Sequence, residues 1–157
     1  MSVQLSPDEA WAVVTASHTG IFTSLRRDGV PIALPVWFAV LDRRIYVSGP
    51  ATAKRLLRIR RDPRVSFLVE SGKRWSELRA VHLTGRARIV TEPERLAKVA
   101  AALTAKYAAF RTARASMPDA TRAHYEVPRA TIEIVPDARM LTWDNARARP
   151  RSPSRQS

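Results

Sequence analysis

Apolar residues alternate most cleanly over residues 80–90, where Val81, Leu83, Gly85, Ala87 and Ile89 take one face and His82, Thr84, Arg86 and Arg88 the other. A period of two predicts a half-exposed strand. Residues 21–25 alternate in the same way up to the turn dipeptide Asp28-Gly29, and residues 30–40 return as the second arm of a hairpin. That arm (VPIALPVWFAV) is apolar almost throughout, so something must cover its second face. Further strands are predicted over residues 45–48, 65–69, 131–135 and 139–143.

Helical spacing separates these strands. Ser6-Pro7-Asp8-Glu9 has the form of a capping box with Pro at the first helical position, predicting a helix over residues 7–17 with Trp11 and Val14 inward. Residues 53–61 predict a short helix that ends before Pro63. Thr91-Glu92-Pro93-Glu94 reads as a second capping box and starts the longest helix, through Leu96, Val99, Ala100, Leu103 and Tyr107. A last short helix is expected near residues 118–124. The sum is mainly β with α: a small antiparallel barrel with appended helices. A barrel of this size has little core of its own, so the doubly apolar arm also suggests a homodimer.

Composition then narrows the partners. The 157 residues fit one domain, expected over residues 1–145, and carry a formal charge of +13, with Arg supplying 23 of the 27 cations. An anionic partner is implied, whether nucleic acid, a membrane surface or a phosphorylated small molecule. Residues 146–157, rich in Arg, Pro and Ser and free of acids, read as a disordered tail with four of these charges. Residues 54–64 (KRLLRIRRDPR) hold a net +5 and form the densest basic patch. The absence of Cys excludes disulfides and thiolate metal sites, and no window is apolar enough for a membrane helix. A cytoplasmic protein without a membrane partner is the expectation.

No phosphate-cradling Gly-rich loop, HExxH or Gly-x-Ser-x-Gly is present. His18, His82 and His124 are too scattered to read as a metal set, and no metal site is expected. The join Val47-Ser48-Gly49-Pro50-Ala51-Thr52-Ala53-Lys54 stands out, because small residues and a hydroxyl lead into a helix start that carries a Lys. Backbone N–H groups, the helix dipole and an ammonium favour a phosphate there; a solvated cationic face with Thr52 as the helix cap is the plainer reading.

Gly29-x-Pro31, Pro35-Val36-Trp37-Phe38, Ile45-Tyr46-Val47, Lys54, Arg60-Arg61-Asp62-Pro63-Arg64-Val65 and Leu83-Thr84-Gly85-x-Ala87 occur in one order along the chain. In this order the sequence resembles the pyridoxamine 5'-phosphate oxidase-like split barrels, most of all the flavin and deazaflavin oxidoreductase branch of actinobacteria that uses coenzyme F(420). The resemblance implies an FMN-binding-like split β-barrel, homodimeric, with cofactor sites at the subunit interface. It implies that the cofactor ring lies along Leu34, Pro35, Val36 and Trp37, and that Ser48, Gly49, Thr52, Ala53 and Lys54 bind its phosphate. Arg55 and Arg60 are further candidates for the phosphate or the tail, and Trp75 and Trp143 for the border of the ring pocket. No catalytic residue is named, since the protein's part in hydride transfer is to hold two rings in register and exclude water.

Coenzyme F(420) carries a phosphodiester and an oligoglutamate tail, which the basic run and the outward pair Arg86 and Arg88 suit better than they suit FMN, the alternative cofactor. The small-molecule acceptor is unidentified. A cofactor carrier without turnover and a nucleic-acid-binding protein are the other classes considered. The second lacks base-stacking aromatics in its Arg-rich helix.

Overall fold

In a computed structural model, which describes residues 2–148, helix α1 (Pro7–Ala16) starts at the expected capping box. Ser6 Oγ accepts from the Glu9 N–H, and the Glu9 carboxylate accepts from the Ser6 N–H at 2.7 Å. The helix buries Ala10, Trp11 and Val14. Seven strands follow: β1 (Gly20–Leu25), β2 (Pro31–Val36), β3 (Ala39–Leu41), β4 (Arg44–Pro50), β5 (Arg64–Ser71), β6 (Arg79–Ile89) and β7 (Arg129–Asp144). They form one antiparallel sheet in the order β2-β1-β5-β6-β7-β4-β3.

Residues 30–40 are therefore two strands, where one was expected. Pro31 and Pro35 have no N–H to give to a second neighbour, which confines β2 to an edge. The Phe38 N–H goes to the Tyr107 hydroxyl at 2.9 Å and so is lost to any ladder. The break curls the whole sheet. β2 and β3 occupy opposite edges, yet only Trp37 and Phe38 join them. Three Cα steps span at most about 11 Å, so the two edges must approach each other and the sheet closes into a half-barrel. A turn with positive φ at Asp42 (51°) and Arg43 (54°) then carries the chain from β3 into β4.

Strand β6 keeps the expected faces, burying Val81, Leu83 and Ala87 and exposing Thr84, Arg86 and Arg88. The two short strands expected near the C-terminus are one. β7 runs unbroken past Pro136 because the register shifts between Leu83↔Met140 and Gly85↔Pro136, letting the extra residues bulge outward. Gly85 permits the close approach, since a Cβ there would sit 2.4 Å from the Val135 carbonyl oxygen.

One face of the sheet, with α1 and helix α2 (Lys54–Arg61), encloses the main core around Phe22, Phe38, Ile45, Phe67, Leu83, Ile132 and Ile134. A smaller core of Ala39, Tyr46, Val90, Val99, Leu103 and Tyr107 lies beneath helix α3 (Pro93–Tyr107). The second capping box does not form. Glu92 is itself the N-cap of α3, and its carboxylate accepts from the Thr91 N–H and from Arg88. Helix α4 (Asp119–Tyr125) precedes β7, and a turn at Asn145–Arg147 follows it, where Arg147 pairs with Glu9 at 2.6 Å. Residues 149–157 of the expected tail lie outside the described residues. Among the described residues, no helix is long and apolar enough to cross a membrane.

Candidate functional site

The join between β4 and α2 is built largely from backbone bonds. The Ala51 N–H donates to the Pro128 carbonyl at 2.7 Å, and the Ala53 N–H to the Pro50 carbonyl at 3.0 Å. The N-cap is Ala53, and no side chain caps the helix, so the expectation that Thr52 serves as cap is corrected. Thr52 and Lys54 are both exposed, Ala53 and Arg55 partly so. Thus an eight-residue helix begins with first-turn N–H groups that no side chain among the described residues caps.

Arg55 folds back over this join. Its Nη2 lies 2.7 Å from the point a Cβ on Gly49 would occupy, so Gly49 makes room for the guanidinium. The β4–β7 register sets Arg129 opposite Pro50, and Arg129 Nη2 donates to the Ser48 carbonyl at 3.3 Å. Burial, and then the positive charge of Arg129, pull the Arg55 pKa below its ordinary value. Among the described residues, no carboxylate forms an ion pair with either guanidinium. Two cations held together without an acid are costly alone and suited to an oxyanion. Arg129 has no local signal in the sequence, since only the β4–β7 pairing brings it here.

Several neighbouring cations have partners. Arg64 is clamped bidentate to Asp62 at 2.8 and 3.0 Å, which holds the Asp62 carboxyl down to about 2, and Arg88 is tied to Glu133 and Glu92. Arg61 donates to the Leu25 carbonyl. Arg58 and Arg60 have no ion-pair partner among the described residues. Arg60 and Ile59 line a shallow cleft of about 430 Å³ against Ala87, Arg88, Ile89 and Thr91.

The expected ring strand lies on the exposed edge β2. Leu34 is 50% exposed, Pro35 is exposed, Val36 is buried, and Trp37 is 39% exposed. Trp37 stacks flat on Tyr107 and meets the His18 ring edge-on at 5.6 Å; Phe110 meets His18 at 4.5 Å. The β3–β4 ladder ends at Ala39↔Tyr46, so Trp37 and Ser48 each stand two residues beyond its last pair, while Pro35 pairs with Ile21 of β1. The ring strand and the phosphate stretch therefore leave the same, open end of the β3–β4 hairpin, and the space between them is one seam. Trp75 and Trp143 belong to neither group. Trp75, 65% exposed, is held near Asn145, and Trp143 stands at the opposite end of β7 from Arg129. Among the described residues, no group of His, Asp and Glu could hold a metal ion.

Residues 6–141 match the family model described as pyridoxamine 5'-phosphate oxidase. A conserved hypothetical protein from Mycobacterium tuberculosis superposes with a TM-score of 0.77 at 32% identity, over 92% of this chain and 88% of that one. An FAD-binding protein from Mesorhizobium loti gives 0.68 at 21% identity over 88% and 94% of the two chains. An F(420) reductase gives 0.62 at 20% identity over 87% and 98%. At these last two identities the likeness is one of fold. No functionally curated protein matches the chain. The chain belongs to the pyridoxamine 5'-phosphate oxidase family, with its split-barrel fold.

Proposed function

We propose that this member of the family is a coenzyme F(420)-dependent oxidoreductase, working as a homodimer on a small organic acceptor. The observation that carries the reading is the Arg55 and Arg129 pair, which no carboxylate among the described residues neutralises, with Gly49 leaving space for the Arg55 guanidinium. The residues fit the coenzyme. Arg55, Arg129, Lys54, Ser48 and the N–H groups at the start of α2 would hold its phosphodiester, and the open cations Arg58 and Arg60 would receive the glutamate tail. Leu34, Pro35 and Trp37 offer an apolar edge to the ring system.

When bound, the deazaflavin supplies hydride chemistry to the acceptor. The chain's own contribution is to orient and to dry the seam: Tyr107 fixes Trp37, and Val36 anchors β2 in the core. A second copy would cover the exposed apolar positions Val30 (45%) and Leu34 and complete the pocket, with Trp75 or Trp143 of one subunit bordering the ring held by the other. FMN is the second reading, supported by the same cation pair, which suits a terminal phosphate equally well, and by the fold shared with an FAD-binding protein.

Anaerobic mixing of the purified protein with reduced coenzyme F(420) and a panel of quinone, enone and tetrapyrrole acceptors tests the reaction. Acceptor-dependent reoxidation of the coenzyme supports it. Tight binding with no reoxidation across the panel would make the protein a carrier.

A further inference from the structure

Residues 108–127 differ from the rest of the described chain. The segment leaves the body at Tyr107 and returns at Pro128, and between them it buries no residue. Phe110 is 59% exposed and Tyr125 44%. Among the described residues, every hydrogen bond from Arg111 to Glu126 is internal, such as Arg122 to Asp119 at 2.8 Å and Arg122 to the Met117 carbonyl at 3.4 Å. A stretch with so little burial and only local bonds opens at small cost.

Its two anchors are the two halves of the seam. Tyr107 carries the Trp37 stack and takes the Phe38 N–H, while Pro128 accepts the Ala51 N–H inside the phosphate stretch and is followed by Arg129. The segment thus spans the seam from its ring end to its phosphate end. It also carries Arg111 and Arg114, neither of which has an ion pair or side-chain hydrogen bond among the described residues. Arg111 follows Phe110, which already touches the His18 ring beside Trp37.

We propose that residues 108–127 are a strap that closes over the bound coenzyme and brings Arg111 and Arg114 to its anionic chain. This rests on the coenzyme-binding reading above. The arriving anion supplies Arg111 and Arg114 with the counter-charge they lack among the described residues, and that attraction closes the strap.

Hydrogen exchange read by mass spectrometry on the full chain, alone and with saturating coenzyme F(420) or FMN, tests it. Exchange over residues 108–127 should slow about tenfold or more with coenzyme. The double variant R111A/R114A should bind coenzyme F(420) about tenfold more weakly while melting as the wild type does. Coenzyme binding with unchanged exchange in the segment, or full affinity in the double variant, would overturn the strap alone. Protection already complete without coenzyme would assign the segment to a subunit interface instead. If neither coenzyme gives a binding signal, the functional reading falls and the strap with it.

Discussion

Trp37 and Tyr107 lie flat against each other, with ring centroids 4.3 Å apart and planes 1° from parallel. Tyr107 is fully buried, and its hydroxyl accepts from the Phe38 N–H at 2.9 Å and donates to the His18 carbonyl at 2.7 Å. One side chain of α3 therefore pins the joint at which the sheet curls. Y107F keeps the stack but orphans a buried N–H, so it should cost about 1–3 kcal/mol by denaturant titration. A variant as stable as the wild type would show that the hydroxyl does not hold the joint.

Glu133 is 1% exposed and accepts from the Tyr46 hydroxyl at 2.6 Å, Arg88 Nε at 2.7 Å and Arg44 at 3.2 Å. Burial pushes its pKa up, but the hydrogen bonds from Tyr46 and Arg88 and the charges of Arg88 and Arg44 outweigh that and leave it below the ordinary 4.5. A depressed carboxyl adds stability that is full above the unfolded pKa and is lost as pH falls through the folded one. Melting temperature should therefore drop on acidification from about pH 4.5, and E133Q, less stable at neutral pH, should drop less steeply over the same range. Parallel curves for the two proteins would remove Glu133 from the acid response.

Lys106 costs stability while it is charged, where Glu133 adds it. Its ammonium is buried without a hydrogen-bond partner among the described residues, 3.7 Å from the centre of the Phe38 ring, and burial lowers its pKa from 10.5 to about 8. Between these values the unfolded chain holds the proton and the folded one does not, so stability rises with pH across that window. K106M should raise the melting temperature at pH 7, and the gain should shrink by about pH 10. A gain that is constant with pH would place the effect in packing.

Gly49 separates folding from binding. An added methyl meets only the far end of the Arg55 side chain, at 2.7 Å, so G49A should fold with nearly wild-type stability. It should weaken the coenzyme about tenfold by displacing one guanidinium. Unchanged affinity would show that Arg55 does not need its place above residue 49.

Much of the fold was legible because local rules and tertiary packing agree. The Ser6 and Glu9 box, the two faces of β6 and the length of α3 each depend on residues a few positions apart. Residues 30–40 read as one strand in the sequence because uniform apolar character hides a change of neighbour. The break depends on a hydroxyl 69 residues away from Phe38. Likewise the bulge that lets β7 pass Pro136 is a property of its pairing with β6 and leaves no periodic trace. At the candidate site, the small-residue join before Lys54 is legible as a helix start, which the structure places at Ala53. The guanidiniums that converge there, Arg55 and Arg129, come from positions 74 apart and are set by strand register.

The central claim is that Arg55 and Arg129 hold the phosphate of a deazaflavin. It is tested most directly by titrating wild type, R55A, R129A and the double variant with coenzyme F(420) and with FMN, following cofactor fluorescence. The prediction is that the wild type binds coenzyme F(420) more tightly than FMN, each single variant loses about tenfold, and the double variant loses binding almost entirely. Equal affinity across the four proteins, or tighter binding of FMN by the wild type, would contradict it.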